Sequence, residues 1–271
     1  MFADGGNTAR GSSRRAALGL VKLQYTSPRG RPSARIIAAT DAAFSTSTNH
    51  GVIEVLELSL PRATSARPLR VLCLGAHCDD IEIGCGGTLL KILSGSTEVE
   101  VTWVAFSAED GRGRELRASA ARLLRRAKRW QVVTHQFRNS YFPAQYTELK
   151  GAFEPLKRSP APDIIFTHQR HERHQDHRLV NELTWNAFRN HLILEYEIAK
   201  YEGGLTTPNA YVRLSAPLVR RKIATLMACY PSQSTKHWFT EETFRALMRL
   251  RGIESGTEWA EGFHVDKWCL A

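Results

Sequence analysis

From about residue 68 onward, short apolar runs alternate with segments of helical periodicity. Residues 70–76 (RVLCLGA) are almost wholly apolar, which indicates a strand buried on both faces of a parallel sheet. The other elements predicted in this part are strands at 98–106, 131–137 and 163–167 and helices at 86–93, 112–128 and 178–191. This alternation predicts an α/β fold, a Rossmann-like three-layer sandwich around a mostly parallel sheet, with its site at the carboxyl ends of the strands.

Several helices show one apolar face or clear end signals. The segment 112–128 places Leu116, Ala120, Leu123, Leu124 and Ala127 on one side. In the C-terminal third, a helix is predicted at 217–229 and a strand within 258–270. A further helix has Thr240 as its cap and ends near Arg249, Arg251 and Gly252. We expect this third to build a substrate pocket rather than the catalytic centre.

Residues 1–50 differ from the rest of the chain. They are rich in Gly, Ser, Thr, Ala and Arg, and they hold seven Arg or Lys against two acids. This composition predicts an extension that is disordered or serves as a targeting segment, with a single domain at 51–271. Arg14 and Arg15 faintly resemble a twin-arginine signal, but Lys22 and Gln24 interrupt the apolar stretch that follows.

Composition limits the class of protein. The chain has 271 residues, 42% of them hydrophobic, which is enough for one sizeable core. No stretch approaches the ~18 consecutive apolar residues that a membrane span requires. Five cysteines are an odd number in a chain of this size, so a disulfide framework is not expected and a cytoplasmic location is predicted.

The formal net charge is +10, and the basic residues are clustered. Residues 112–129 carry eight Arg or Lys and one acid, Glu115. A basic surface favours anionic partners such as nucleic acid, phospholipid or a phosphorylated sugar, and charge alone does not separate these.

Two polar motifs directly follow predicted core strands. AHCDD occupies residues 76–80, and HERHQDH occupies 171–177. Because parallel strands end at one edge of the sheet, His77 and Asp80 can approach one ion from a single turn, and His177 can complete the set from the neighbouring loop. Two imidazoles and one carboxylate suit zinc and leave a position open for water. The pattern predicts a catalytic site with one zinc ion per chain.

Each part of this pattern also has a simpler structural interpretation. A single histidine at a strand end is more often hydrogen-bonded than a ligand, and adjacent acids such as Asp79 and Asp80 are more often a helix cap. The histidine repeat at 168–177 is compatible with a polar loop. Cys78 and Cys85 lack the close spacing of structural zinc sites, and we interpret them as small packing residues. The joint placement of both motifs favours the metal site.

These segments resemble the LmbE/PIG-L family of zinc-dependent N-deacetylases. LGAHCDDIEIGCGGTLL (residues 74–90) is similar to the family's AHPDD motif and its glycine-rich helix, and FTHQRHERHQDH (166–177) is similar to its H-x-D-H motif. Residues 112–115 look like the R-x-x-E segment. The resemblance covers roughly residues 68–271 and implies a hydrolase that removes an N-acetyl or other N-acyl group from a small amino-sugar substrate or glycoconjugate.

The resemblance implies a role for each matching residue. His77, Asp80 and His177 correspond to the zinc ligands, and Asp79 corresponds to the general base that takes a proton from water. Metal-assisted attack of this water on the amide would yield a free amino sugar and acetate.

Three further roles follow from the same resemblance. His174, in a protonated form, would stabilise the oxyanion; Asp176 would orient a neighbouring residue; and Arg112 would contact substrate. Cys78 stands where the family has proline, which removes a fixed φ but no ligand.

Two other classes of function remain as alternatives. Gly84, Gly86 and Gly87 could belong to a nucleotide or S-adenosylmethionine site, but such glycines form the first turn after the strand. Here they come later, and tight packing at a helix start explains them more simply. The basic clusters could bind nucleic acid, but no recognition motif accompanies them, so no nucleic-acid partner is expected. Neither the substrate nor the oligomeric state follows from the sequence.

Deletion of residues 1–50 is expected to leave folding and deacetylation largely intact, because no predicted core strand or site residue lies there. Thermal melting and turnover of the truncated chain would be compared with those of the full chain. A collapse of either quantity would contradict the predicted domain boundary.

Overall fold

The computed structural model describes residues 56–109, 111–158 and 160–269, so the extension predicted at 1–50 lies outside the described residues. Seven strands are present in this part: β1 (Leu69–Gly75), β2 (Val99–Ala105), β3 (Arg129–Thr134), β4 (Ile164–His168), β5 (Leu192–Tyr196), β6 (Ala210–Leu214) and β7 (Trp259–His264). Six α-helices accompany them: α1 (Asp80–Gly95), α2 (Arg112–Leu123), α3 (Tyr146–Arg158), α4 (Gln175–Ala187), α5 (Ala216–Cys229) and α6 (Glu241–Glu254). None of these helices combines the length and the apolar composition needed to cross a bilayer.

The strands form one sheet in the order β3-β2-β1-β4-β5-β7-β6. The first five are mutually parallel, and β7 runs antiparallel to both β5 and β6. The chain moves outward from β1 through β2 to β3 and then returns to the other side of β1 as β4. The carboxyl ends of β1 and β4 therefore flank the point where the strand order reverses, which is where open α/β sheets place their ligand sites.

Alternate residues of the central strands enter two cores, one on each face of the sheet. In β1, Val71 and Cys73 pack with α1, α2, α5 and α6, whereas Leu72 and Leu74 pack with α3 and α4. Burial on both faces explains why β1 is an almost unbroken apolar run. The predicted α/β three-layer sandwich with a mostly parallel sheet is confirmed.

Helix α1 differs from its prediction because it begins at Asp80, six residues before the predicted start at residue 86. Cys85 has non-helical backbone angles (φ −137°, ψ 15°) and marks a kink between two shorter helical segments. The two cysteines, Cys78 and Cys85, are fully buried, in agreement with a packing role. As a result, the first turn of α1 presents its acidic residues directly at the carboxyl end of β1.

The glycines of α1 allow close packing at this kink. A Cβ atom at Gly84 would lie 2.1 Å from the Tyr196 ring, and one at Gly87 would lie 2.5 Å from Leu214. Tight packing is thus confirmed at these two positions. Gly86 has no such constraint, because the nearest atom to a Cβ there would be 3.6 Å away.

An ion pair beneath this glycine-rich segment joins α1, α5 and β7. Lys222 Nζ donates to Glu261 Oε1 at 2.6 Å and to the Ile83 carbonyl at 2.6 Å. Glu261 also accepts hydrogen bonds from the backbone N–H groups of Gly87 and Thr88 at 2.8 and 2.6 Å. Both charged side chains are buried, and together they satisfy backbone groups that the kink exposes.

The sequence pattern missed three elements and misplaced several helix boundaries: α2 ends at Leu123 and not at residue 128, and α4 spans Gln175–Ala187 and not 178–191. Helix α3 and strands β5 and β6 were not predicted. The Thr240 cap is confirmed, since its hydroxyl accepts a hydrogen bond from Thr243 N at 3.2 Å. The expected end near Gly252 is wrong, because α6 continues to Glu254 and Gly252 lies inside it, against the backbone of Glu258.

Candidate metal centre and active site

Three side chains that the sequence assigned to one metal converge between the ends of β1 and β4. His77 Nδ1 lies 3.1 Å from His177 Nε2 and 3.3 Å from Asp80 Oδ2, and the remaining pair is 3.5 Å apart. Donor atoms at about 2.0–2.2 Å from a tetrahedral zinc ion are separated from one another by about 3.3–3.6 Å. Two of the three separations match this range and the His77–His177 pair is slightly closer, so the three donors could together hold one metal ion.

Asp176 fixes the orientation of His77. Its Oδ2 lies 3.2 Å from His77 Nε2, and its two oxygens accept hydrogen bonds from the backbone N–H groups of Ser140 (2.6 Å) and Phe142 (3.1 Å). A carboxylate beside Nε2 keeps a proton on that nitrogen and directs the other nitrogen, Nδ1, toward Asp80 and His177. This contact supplies a physical basis for the orienting role expected of Asp176.

Two residues that the sequence analysis missed lie against the His177 ring. Glu172 Oε2 lies 3.5 Å from His177 Nδ1, and Lys200 Nζ lies 2.9 Å from His177 Nε2. Both His177 and Glu172 are buried. Nε2 is the nitrogen that faces His77 and Asp80, and the Lys200 ammonium uses its lone pair, so a metal ion bound by His177 would have to displace this contact. Glu172 lies in a polar segment that looks like an ordinary loop, so no sequence signal identified it as a neighbour of His177.

The charges of the centre are strongly coupled. Burial alone would raise the pKa of Asp80, but His177, His168 and His77 together lower it well below its usual range. For His77, burial acts to lower the pKa, yet Asp80 and Asp176 raise it to about 9. The carboxylate thus attracts a cation into this position, and a metal ion that binds there must displace a proton from His77.

Asp79 lies beside this centre and not within it. Its Oδ1 is 2.9 Å from Arg112 Nη2, and its side chain is buried. Burial disfavours the charged form of Arg112, yet the carboxylate of Asp79 keeps the pKa of Arg112 above its usual value. Among the described residues, Asp79 Oδ2 accepts no hydrogen bond. Arg112 therefore positions Asp79 and leaves one carboxylate oxygen available. The sequence analysis expected Arg112 to contact substrate and did not predict this contact with Asp79.

His174 is the N-cap of α4, and its position determines its protonation. The Nδ1 atom accepts a hydrogen bond from Asp176 N at 3.2 Å, so the proton of the neutral ring resides on Nε2. Burial, together with Lys200 and His77, lowers the pKa of His174 to about 4. In this arrangement a neutral His174 ring donates through Nε2, and the protonated form expected from the sequence stays a prediction.

His168 is a third residue whose place in the site the sequence did not reveal. Its ring stacks on His177 with centroids 3.8 Å apart, and its Nε2 lies 3.2 Å from Asp80 Oδ2. The same Nε2 accepts a hydrogen bond from Ala76 N at 3.0 Å. Because this lone pair is already used, we assign His168 to packing beneath the centre, although it lies within reach of a metal held by Asp80 and His177.

An open cavity leads from solvent to the centre. His77, Asp79, Asp80, Arg112 and His174 line its inner part. The loops after β5 and α5 contribute further lining residues, namely Lys200, Tyr201, Glu202, Gln233, Lys236 and Trp238. The C-terminal third thus helps to build the pocket, as the sequence predicted.

A comparison with protein families identifies the same segment of the chain. Residues 72–188 match the sequence profile described as PIG-L: GlcNAc-PI de-N-acetylase. This segment contains all seven residues that the sequence analysis placed in the site and extends from β1 to the end of α4.

Solved structures share the fold over most of this chain. The conserved protein TT1542 from Thermus thermophilus is 20% identical, with 75% of this chain and 97% of TT1542 covered and a TM-score of 0.59. N,N'-diacetylchitobiose deacetylase from Pyrococcus horikoshii is 22% identical, with coverages of 73% and 83% and a TM-score of 0.54. The 4-carboxy-2-hydroxymuconate hydratase GalB from Pseudomonas putida is 15% identical, with coverages of 75% and 98% and a TM-score of 0.59.

Proposed function

We propose that this chain, which matches the PIG-L profile over residues 72–188, is a zinc-dependent hydrolase that removes an acyl group, acetyl in the simplest case, from the nitrogen of an amino sugar. The observation that carries the proposal is the convergence of His77, Asp80 and His177, whose donor atoms lie 3.1–3.5 Å from one another. The fold alone does not decide the reaction, since structural neighbours include both a deacetylase and a hydratase.

The residues present suit a bound zinc ion. His77, Asp80 and His177 would hold it, with Asp176 and Glu172 beside the outer nitrogens of the two imidazoles. When bound, zinc supplies a Lewis acid that polarises the amide carbonyl and lowers the pKa of water. The open cavity on the side of Asp79 and His174 leaves room for substrate and water.

Asp79 would move the protons of the reaction. Its free Oδ2 can accept a proton from water as that water attacks the amide carbon, and the carboxyl group can then deliver the proton to the departing amine nitrogen. The contact with Arg112 holds the carboxylate in one orientation while the substrate changes. The bond that breaks is the C–N bond of the amide, and the products are acetate and a free amine.

His174 would stabilise the charge that develops on the carbonyl oxygen. Its backbone-bonded Nδ1 leaves the N–H at Nε2 as a donor at the wall of the cavity. A donor that is already oriented before the reaction needs no reorganisation in the transition state. A neutral imidazole suffices for this role, and loss of the donor would act on kcat rather than on substrate binding.

Protein purified without chelators is expected to contain about one zinc ion per chain and to release primary amine from N-acetylated sugars, because the three ligands form one open site. Elemental analysis and an amine-release screen provide the two measurements. Removal of the metal by a chelator should abolish turnover, and added zinc should restore it. Metal-free protein that keeps full activity would rule out the proposed mechanism.

A further inference from the structure

The Lys200 ammonium group lies inside the metal centre. Lys200 Nζ is 2.9 Å from His177 Nε2, the nitrogen that also faces His77 and Asp80. Among the residues that the structure describes, no carboxylate oxygen lies within 4.0 Å of this ammonium group. The hydrogen-bond partner of Lys200 is therefore the imidazole of a predicted metal ligand and not an acid.

The contact uses the lone pair that a metal ion would need. A neutral imidazole has a lone pair on only one of its ring nitrogens and offers it to one cation at a time. At His177 this nitrogen is Nε2, because Glu172 Oε2 lies 3.5 Å from Nδ1 and favours a proton there. The distance of 2.9 Å is too short for an ion to stand between the two nitrogen atoms. The Lys200 hydrogen bond and a metal bond at Nε2 therefore exclude each other.

The fold holds the segment that carries Lys200 beside the centre. Strand β5 pairs in parallel with β4, so both strands deliver residues to the same edge of the sheet. Directly after β5, the buried Glu197 binds Arg251 of α6 at 2.7 and 2.8 Å, and Ile198 is buried in the core. The Lys200 carbonyl then accepts a hydrogen bond from Gly203 N at 3.1 Å. The lysine thus reaches the centre from an anchored backbone.

The charge of Lys200 acts on every imidazole of the centre. Burial is the largest influence on each of these rings and acts to lower its pKa, and the ammonium group acts in the same direction on His77, His168, His174 and His177. A cation that affects all four rings from one point stands where a metal ion would act.

The Lys200 side chain also has room to leave the centre. It is half-buried and lines the open cavity together with Tyr201 and Glu202. The flexible four-carbon stem of a lysine lets its ammonium group turn from the centre into such a cavity without a change of the backbone. A metal ion that displaces this group therefore requires no local unfolding.

We propose that Lys200 is an internal competitor of the metal: its ammonium group binds His177 in a metal-free form of the protein and is displaced into the cavity when zinc binds. This inference rests on the zinc site of the proposed function. In the metal-free form, the ammonium group places a positive charge among the buried carboxylates of Asp80 and Glu172. Lys200 would thus stabilise the arrangement of the ligands before zinc binds and lower the affinity of the centre for zinc.

The Lys200→Met variant is expected to bind zinc about tenfold or more tightly than the unaltered chain, the scale of a lost hydrogen bond to a charged group. Methionine keeps an apolar stem of similar length but cannot occupy the lone pair of His177 as a cation. Zinc affinity would be measured on both full-length chains, after removal of metal, by competition with a chromophoric chelator. A residue that only supported the fold would weaken zinc binding when replaced, so the direction of the change is decisive.

Lys236→Met is the matched control, because it removes the same charge from the same cavity. Lys236 lines this cavity and, in the part of the chain that the structure describes, makes no contact with His177. Its replacement should change zinc affinity by no more than about twofold, the effect of a charge screened by solvent. Unchanged or weaker zinc binding in Lys200→Met, or an equal gain in Lys236→Met, would overturn the proposal.

Thermal melting supplies a second readout. Without metal, Lys200→Met should melt at a lower temperature than the unaltered chain, because the buried carboxylates lose a neighbouring cation. The rise in Tm on addition of zinc should be larger in the variant, since tighter binding to the folded form stabilises it more. Should Lys200→Met not fold, Lys200→Gln removes the same charge and should also bind zinc more tightly than the unaltered chain. An equal rise in Tm for variant and unaltered chain would contradict the proposal.

These measurements separate the competition from the proposed function, because none of them requires turnover. Tighter zinc binding in Lys200→Met would support the competition even if no N-acetylated sugar were hydrolysed by any chain. Deacetylation by a chain whose zinc affinity does not change in Lys200→Met would reject the competition and leave the proposed function intact. Absence of zinc binding in both chains would reject both.

Discussion

The Asp79→Asn variant is expected to keep about one zinc ion per chain while its turnover falls by ~10²–10⁴, the usual contribution of a general base. The reason is positional: Asp79 lies beside the three donors and pairs with Arg112. An amide at this position can keep a hydrogen bond to Arg112 but cannot take a proton from water. The zinc content of the variant should therefore equal that of the unaltered chain.

The variant of the adjacent residue, Asp80→Asn, is expected to lose zinc affinity rather than general-base catalysis. Asp80 Oδ2 lies within 3.5 Å of nitrogen atoms of His77, His168 and His177, so its negative charge attracts any cation at this point. Loss of that charge should weaken zinc binding, and excess zinc should recover part of the activity.

Zinc affinity and turnover of both variants would be measured in one buffer, with Asp266→Asn as the control for an exposed aspartate outside the site. The assignment of roles is reversed if Asp79→Asn loses the metal and Asp80→Asn retains it. Normal metal content and normal turnover in both variants would show that this motif is not the active site.

The sequence predicted those site residues that lie in short motifs directly after core strands. Asp79 and Asp80 follow an apolar strand, and His174 and His177 follow another, so parallel-strand geometry brings them to one edge. Lys200, Lys236 and Glu172 were not predictable in the same way. The two lysines reach the cavity from loops after β5 and α5, and long-range packing that no local spacing encodes places them there.

The missed elements of the fold have a similar explanation. Strand β5 (Leu192–Tyr196) is short and has charged or half-buried positions, including the buried Glu195, which pairs with Arg170. Its unbroken apolar run is only residues 192–194, shorter than the run at 71–76 that identified β1. Helix α3 has Pro155 in its interior, which normally argues against a helix. Burial of Leu149 and Phe153 against the sheet outweighs this local preference.

Long-range packing also determines where α1 starts, and α1 carries the site residue Asp80. Its glycines suggested a helix that begins near residue 86, yet the helix begins at Asp80 and bends at Cys85. The buried Glu261 accepts hydrogen bonds from the backbone N–H groups of Gly87 and Thr88. On the other side of the bend, Lys222 donates a hydrogen bond to the Ile83 carbonyl. This ion pair therefore holds together the two segments of the helix that carries Asp80.

Lys222→Met is accordingly expected to lower the free energy of unfolding by about 3–5 kcal/mol, because it leaves the charge of Glu261 buried without its cation. In a domain of this size, that loss corresponds to a fall in Tm of roughly 10 °C. Chemical denaturation and thermal melting would measure the change. Lys91→Met is the matched control, since Lys91 lies on α1 and is exposed; it loses one hydrogen bond, to the Arg213 carbonyl, and should change stability by no more than about 1 kcal/mol.

The double variant Lys222→Met/Glu261→Gln separates the ion pair from packing. Its neutral amide can still accept the hydrogen bonds from Gly87 and Thr88, and the unpaired buried charge is removed, so stability should recover in part relative to Lys222→Met. If the double variant were less stable than Lys222→Met by the full cost of a second deletion, the two residues would be acting independently. In that case the bend in α1 would have to be held by the packing of Gly84 and Gly87 alone.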